Sequence, residues 1–408
     1  MTPSEDAPRD PEHIALALSG GGSRAIAFHL GCLRALHAEG ILDRVQAISA
    51  VSGGSVLAAI YCSHEGDFPE FETSVRALLA RGLVKPALKT AVTTVEGPKT
   101  LLCAIPLAAV QLVRFVLRLG LRLLPKSSVP RMRFEAWIRE PPMCRFASRT
   151  TILRRTLSDN VFRGKVLPDL RDDRPKLIIV ACELRTKSAF YFSSQGVGSW
   201  RLGETEPGTI EIAHAVAASA AFPVFLPALD EYLSFTNKGT VRRQRVILTD
   251  GGVYDNLGLA PLWPDRDPDI SLHVDRCDTI IACRAGYSLD EAPAPSFWPS
   301  RMIAAIESIH ARAQNFAMKR LFDLKNAGLL KGILIPYLGQ DDAKLAYPPP
   351  DLVTREATAA YPTDFSSMPA EWIDRLSRRG EQLTLALLRE HMPHLLGSTS
   401  SRTSDSYR

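Results

Sequence analysis

Two short apolar runs, each ended by a cluster of glycines, constrain this chain more than any other feature. Ile14–Leu18 (IALAL) runs into Ser19-Gly20-Gly21-Gly22, and residues 24–39 (RAIAFHLGCLRALHAE) follow with helical character as far as Gly40. Val45–Val51 (VQAISAV) runs into Ser52-Gly53-Gly54, and residues 55–62 (SVLAAIYC) continue as a second helix. Short apolar runs bounded by turn residues read as buried strands. Strand, helix, strand, helix with tight turns is a βαβ unit at the start of a parallel sheet. The expected fold class is α/β, a three-layer sandwich with a mostly parallel central sheet.

Further strands are expected at residues 176–182 (KLIIVAC), 189–192, 245–248 (RVIL), 279–284 (TIIACR) and 332–336, and helices at 209–220, 301–327 and 370–391. The chain has 408 residues, 46% hydrophobic and 23% charged. That is ordinary for a globular protein and sufficient for a large core. One α/β domain is expected over 13–395, between a flexible arm at 1–12 and a disordered tail rich in Ser, Thr and Arg at 396–408.

The seven cysteines are Cys32, Cys62, Cys103, Cys144, Cys182, Cys277 and Cys283, an odd number with no C-x-x-C pair. Reduced, buried thiols fit this better than a disulfide or zinc framework. The Asp and His residues lack ligand spacing, so neither a metal nor any other cofactor is expected. No apolar signal region precedes His13, which makes the cytoplasm the default location, with peripheral membrane contact left open.

Residues 85–130 interrupt the alternation as a helical insertion. Residues 101–113 are strongly apolar, and Gln111, Arg114, Arg118 and Arg122 form one polar stripe on a helix. A membrane span needs ~20 apolar residues. Here that length takes in three arginines, each costing about 2.5–3.5 kcal/mol at the bilayer centre. Two readings stay open: an interfacial helix that meets an anionic membrane through residues 101–126, or a lid whose arginines face water. From Arg114 to Arg155 eleven basic residues face only Glu135 and Glu140. Such a field attracts anionic surfaces. No helix-turn-helix, RNP or zinc-finger pattern accompanies it, so no nucleic-acid partner is expected.

Three motifs carry chemistry. At the first, Ser19 to Ala25, glycines let backbone N–H groups approach a ligand at a helix N-terminus, where negative charge is favoured. Gly20-x-Gly22-x-x-Ala25 fits a relaxed dinucleotide fingerprint, and the same loop fits an oxyanion hole. A dinucleotide site needs an acid at the end of the second strand. Ala50-Val51-Ser52 stands there, and Asp43 precedes that strand. At the second motif, Ser52 sits on a strand-to-helix turn between Ala50, Val51, Gly53 and Gly54, the setting of a nucleophile elbow. At the third, Asp250 ends an apolar strand within Thr249-Asp250-Gly251-Gly252. It can orient or deprotonate a hydroxyl, or simply form an Asx-turn.

In this order the three motifs resemble the patatin-like phospholipase family. Residues 213–227 (AHAVAASAAFPVFLP) resemble the family's segment before the catalytic acid, and residues 157–193 its middle strands. The likeness spans about 13–260 and continues more weakly through 361–388. It implies a Ser–Asp dyad hydrolysing fatty acyl esters of lipids, with Ser52 as nucleophile and Asp250 as base. It also implies oxyanion contacts from Gly20, Gly21 and Gly22, up to Ser23 and Arg24. Two departures are Ala50 for the elbow's first glycine and Ala25 at the helix start, where the family commonly has glycine.

Rival readings are a Ser–Asp–His triad completed by His391, His394 or, less simply, His214, and a non-catalytic lipid-binding or scaffold protein of the same fold. Against the triad, Ser52 follows only the second expected strand, whereas an α/β-hydrolase nucleophile follows several.

Overall fold

The computed structural model describes residues 12–121, 144–223, 225–267, 271–272, 277–286 and 296–396. The expected arm up to residue 11, the tail from residue 397 and five of the eleven basic residues of the run, Arg122 among them, fall outside the described residues. The strands are β1 (Ile14–Leu18), β2 (Val45–Val51), β3 (Lys176–Glu183), β4 (Ser188–Phe192), β5 (Val197–Ser199), β6 (Gly203–Thr205), β7 (Leu229–Asn237), β8 (Thr240–Asp250), β9 (Thr279–Cys283) and β10 (Gly332–Leu334). The helices are α1 (Gly22–Ala38), α2 (Gly53–Ser63), α3 (Phe68–Arg81), α4 (Val84–Thr93), α5 (Glu96–Leu121), α6 (Arg149–Leu157), α7 (Ile212–Ser219), α8 (Gly252–Asp255), α9 (Trp298–Asn326), α10 (Arg355–Ala359) and α11 (Ala370–His391).

All ten strands form one sheet in the order β10-β9-β1-β2-β3-β4-β5-β6-β7-β8. From β10 to β3 every pairing is parallel. Beyond β3 every pairing is antiparallel. The sheet is therefore mixed, and the expected parallel character belongs to the half that holds the two glycine turns. Tight connections account for the change of direction. At the β7–β8 hairpin, Lys238 and Gly239 both have positive φ, 48° and 76°. That is the primed turn whose twist matches an antiparallel pair. Strands β5 and β6 have three residues each, and β7 reads LDEYLSFTN, so an apolar-run criterion passes over all three.

β3 carries two partners along one edge. Its first half runs parallel to β2, ending in Val51 opposite Val180. Its second half pairs antiparallel with the end of β8, beginning with Asp250 opposite Ala181. β2 and β8 thus approach from opposite ends and abut over adjacent residues of β3.

One sheet face packs Leu16, Ile48, Ile179 and Phe190 against α1, α2, α3 and α11. The other packs Ala15, Ala17, Ile280 and Ile333 against Leu321 and Leu324 of α9 and against residues 257–262. This makes the three-layer α/β sandwich. All seven cysteines are free, and all but Cys144 are buried. The insertion folds as α4 and α5. Over its most apolar 18 residues α5 has a mean hydropathy of 2.0, yet only 11% of that stretch is buried. By length and composition it could cross a membrane.

Helices α1 and α11 touch backbone to backbone. A Cβ at Gly31 would lie 1.7 Å from the Ser377 carbonyl oxygen, and one at Gly380 would lie 2.1 Å from that of Phe28. Neither neighbour is a side chain that can swing away. Gly31→Ala is expected to force the helices apart and destabilise the domain by about 1–3 kcal/mol or more. A thermal melt checks this, and an unchanged midpoint would refute the close packing.

Candidate active site

Ser52 occupies the junction of β2 and α2 with φ 51° and ψ −120°. A non-glycine residue held there stores roughly 1–3 kcal/mol of strain. Three hydrogen bonds hold it. The Ser52 N–H donates to Ser219 Oγ (2.9 Å), whose hydroxyl donates to the Val180 carbonyl (2.6 Å), and the Ser55 hydroxyl donates to the Ser52 carbonyl (2.6 Å). The glycines after Ser52 have no steric alternative. A Cβ on Gly53 would lie 2.2 Å from the Gly22 carbonyl oxygen, and one on Gly54 would lie 2.5 Å from that of Leu18. Hence α2 begins in contact with the Gly-rich loop. Ala50 and Val51 are fully buried in the strand leading to the turn.

Asp250 ends β8 and is 3% exposed. Its backbone N–H donates to the Ala221 carbonyl (3.0 Å), and its Oδ1 accepts from the Gly252 N–H (2.7 Å). Burial pushes its pKa up to about 7, against the pull of hydrogen bonds from Gly252 and from the Ser52 hydroxyl. Asp250 thus lies within reach of the Ser52 hydroxyl, with its pKa raised toward neutrality by burial. The Oδ1–Gly252 bond is the Asx-turn contact considered for Asp250; Asp255 makes one too, accepting from Leu257 N–H (3.1 Å) and also from Ala260 N–H (2.6 Å).

The Gly-rich loop lies against this pair. An added Cβ at Gly20 would stand 3.3 Å from Ser52 Cβ. Five residues were expected to offer oxyanion contacts, and they differ in what they have free. Gly20 N–H donates to the Asn256 carbonyl (3.0 Å) and Ser23 N–H to the Asp364 carbonyl (2.7 Å). Arg24 uses Nε on the Ala285 carbonyl (3.1 Å) and a terminal nitrogen on that of Tyr361 (3.3 Å). Its guanidinium ties three loops together. Gly21 and Gly22, with φ 146° and 58°, donate to no acceptor among the described residues.

The histidines offered for a triad are engaged elsewhere. His214 meets Glu231 at 2.9 Å, while His391 and His394 are half-exposed or more and face Glu390 and Glu12. His310 of α9 does come close, and sequence reasoning missed it. It lies near the Gly252 backbone, which favours its charged form, but burial outweighs this and lowers its pKa. Ser219 and Asn256 were also missed as site residues. The Asn256 side-chain oxygen would stand 2.4 Å from a Cβ on Gly20 and 2.7 Å from one on Gly252, so it wedges between loop and acid. Ser219 lies within residues 213–227 and Asn256 four residues past Gly252, but nothing in residue type marks a single Ser or Asn as a brace. Arg284, 8% exposed one residue past β9, stacks on Tyr337 at 4.6 Å and meets no carboxylate among the described residues.

A strained serine at a strand-to-helix turn, a buried acid near it and a glycine loop with unclaimed amides are the kinds of group that acyl transfer at a serine requires, on a three-layer α/β fold. The family model for patatin-like phospholipase matches residues 16–263, and the chain belongs to that family. Lipid hydrolysis in general is the activity that this membership supports. Two solved structures of human GIVD cytosolic phospholipase A2 share the fold. One, in complex with a methyl γ-linolenyl fluorophosphonate inhibitor and terbium chloride, superposes with a TM-score of 0.51 at 15% identity, covering 94% of this chain and 59% of that one. The other has a TM-score of 0.53 at 13% identity, covering 96% and 63%. This chain therefore spans about three-fifths of their length. No curated protein matches the sequence.

A pH-dependent stability follows from Asp250. Its folded pKa of about 7 exceeds its ordinary value of 3.8. The folded state therefore holds a proton that the unfolded state releases between these values, and stability falls as pH rises through that window. Asp250→Asn removes the buried charge. It is expected to raise the melting temperature at pH 8–9 and to leave it unchanged below about pH 4. Equal shifts at both pH values would contradict a buried, high-pKa acid.

Proposed function

We propose that this protein is a serine acyl hydrolase that cleaves fatty acyl esters of lipids, of phospholipase A or lysophospholipase type, through a Ser52–Asp250 dyad. The observation that carries this is the pairing of a strained, buried serine with an acid whose pKa lies near 7. A base tuned to the operating pH is the most effective proton acceptor. Asp250 takes the Oγ proton as Ser52 attacks the ester carbonyl. The oxyanion is met by the amides of Gly21 and Gly22, while Gly20, Ser23 and Arg24 hold the loop that presents them. The protonated Asp250 then gives its proton to the leaving alcohol, and an acyl-enzyme remains. Asp250 next deprotonates a water, and collapse of the second tetrahedral intermediate frees the fatty acid and returns the proton to Ser52.

Lipid as substrate is supported by apolar side chains around the dyad. Phe222 and Phe225 follow Ala221, which anchors the Asp250 backbone, and Val253 and Tyr254 follow Gly252; all four are more than a third exposed. We further propose that α5 rests on an anionic membrane. Leu101, Leu102, Ile105, Leu112, Phe115 and Val116 are each more than half exposed, and the exposed Arg118 adds a cation on the same helix. Seven free thiols suit a cytoplasmic setting.

Ser52→Ala is expected to abolish lipid ester hydrolysis, by about 10³-fold or more. Mass spectrometry of fatty acid release from a phospholipid and lysophospholipid panel checks this, and residual wild-type rates would overturn the mechanism. For the wild type, kcat/KM is expected to rise about tenfold per pH unit toward pH 7 and level off above, since only ionised Asp250 accepts the proton. A flat profile down to pH 5 would remove Asp250 as base. The double variant Ile105→Glu, Phe115→Glu is expected to lose flotation with phosphatidylglycerol vesicles while keeping hydrolysis of a short soluble ester. Undiminished flotation would refute membrane contact through α5.

A further inference from the structure

Directly behind the Gly-rich loop, the fold gathers three soft donors that ester hydrolysis does not use. A ring nitrogen of His29 and the Sγ atoms of Cys32 and Cys283 all lie within 4.8 Å of one another. None of the three side chains is more than 1% exposed. His29 and Cys32 are three residues apart on α1 and so share a helix face. Cys283 ends β9 opposite Leu18, the residue before the loop. No zinc pattern is visible in the sequence because the third donor arrives from a strand 251 positions after Cys32, and only the β1–β9 pairing brings it in.

The state of His29 points to a ligand. Its Nε2 stands 3.0 Å from the Ser19 carbonyl oxygen. A carbonyl only accepts, so the proton sits on Nε2 and Nδ1 presents a bare lone pair. That Nδ1 is buried with no hydrogen-bond partner. Leaving such an acceptor unsatisfied costs about 1–3 kcal/mol. A metal-bound histidine has this same arrangement, one nitrogen on the ion and the other N–H on a backbone carbonyl. Charge agrees as well. Two thiolates and a neutral imidazole around a divalent ion sum to zero, so burial strands no net charge.

We propose that His29 Nδ1, Cys32 Sγ and Cys283 Sγ form a buried structural site for zinc(II). Both thiols lose a proton to solvent as the two Zn–S bonds form, the Nδ1 lone pair makes the Zn–N bond, and no electron is transferred. Bond lengths of ~2.3 Å to sulfur and ~2.0 Å to nitrogen require the donors to draw together by less than about 1.5 Å. The Gly380 carbonyl oxygen, 3.7 Å from Cys32 Sγ, borders the fourth position. The ion would join α1, β9 and α11. Through the His29–Ser19 bond it would also fix the base of the Gly-rich loop. Because a structural ion needs no ester substrate, this inference stands or falls apart from the hydrolase reading.

The test uses the untagged full chain, expressed with zinc in the medium and purified without chelator. Plasma mass spectrometry is expected to find about one zinc per chain, lost in Cys32→Ser, Cys283→Ser and His29→Gln and kept in Cys182→Ser, whose buried thiol lies elsewhere. Cobalt(II) added to the stripped wild type is expected to give a thiolate-to-cobalt charge-transfer band, so the proposal remains open to refutation even where a variant fails to fold. Removing zinc should lower the melting temperature, and returning it should restore the original value. Wild type without zinc, without the cobalt band and without a zinc-dependent melting shift would overturn the site. A Cys32–Cys283 disulfide in the purified chain would overturn it equally.

Discussion

Everything at the candidate site depends on one piece of strand geometry. β2 and β8 share a single edge of β3 and meet end to end there, Val51 beside Val180 and Asp250 beside Ala181. Two residues 198 positions apart thereby come to stand next to each other on a rigid sheet rather than on loops. The antiparallel half of the sheet makes this possible. β4 to β8 curl back from β3 and return to its other edge, so the last strand arrives from the direction opposite to β2. A wholly parallel sheet would put every strand end on the same side with a full strand spacing of about 4.8 Å between neighbours, and β8 could not abut β2.

That geometry creates local costs that the surroundings offset. Ser52 sits at positive φ, and Asp250 is an acid out of water. Ser219 acts on both. Its hydroxyl ties the Ser52 N–H to the Val180 carbonyl, and its own carbonyl accepts from Gly251 N–H at 3.2 Å. One residue of α7 thus spans the two strand ends. The glycines do the rest by letting backbones approach where any side chain would collide. The same burial that destabilises ionised Asp250 gives it the basicity that a dyad without histidine needs.

The sequence was most legible where local chemistry and tertiary role coincide. An apolar run followed by Gly-rich residues reports both a buried strand and a strand-end turn, so β1, β2 and their helices were readable with ends correct to within two residues or so. α11 was readable to the residue because its apolar stripe is long and continuous. β7 was not, since a strand with one face in water and polar residues such as Asp230 and Glu231 lacks an apolar run. The braces were hidden for a different reason. Ser219, Asn256, His310 and Cys283 each owe their roles to at least one partner more than thirty residues away, which nothing in their own neighbourhood signals. The Gly-rich loop was an intermediate case. Its place was legible, but which amides remain free depends on Asn256 and Asp364, whose carbonyls claim Gly20 and Ser23.

The insertion raises a question of solvation that the α/β domain does not. A soluble helix normally turns one apolar stripe inward. In α5 only Cys103, Leu107 and Leu121 are buried, while large apolar residues stand exposed on its remaining faces. Covering one such side chain is worth about 1.5–3 kcal/mol, so several together supply a driving force far above thermal energy. The exposed guanidinium group of Arg118 argues against a second protein copy as the cover, because two identical faces would bring like charges together. On the proposed reading a lipid surface meets both demands, with acyl chains for Ile105 and Phe115 and phosphate for Arg118. On the proposed reading, a hydrolase held in that way would meet its ester at the interface where the ester resides, with Phe222, Phe225, Val253 and Tyr254 exposed near the candidate site.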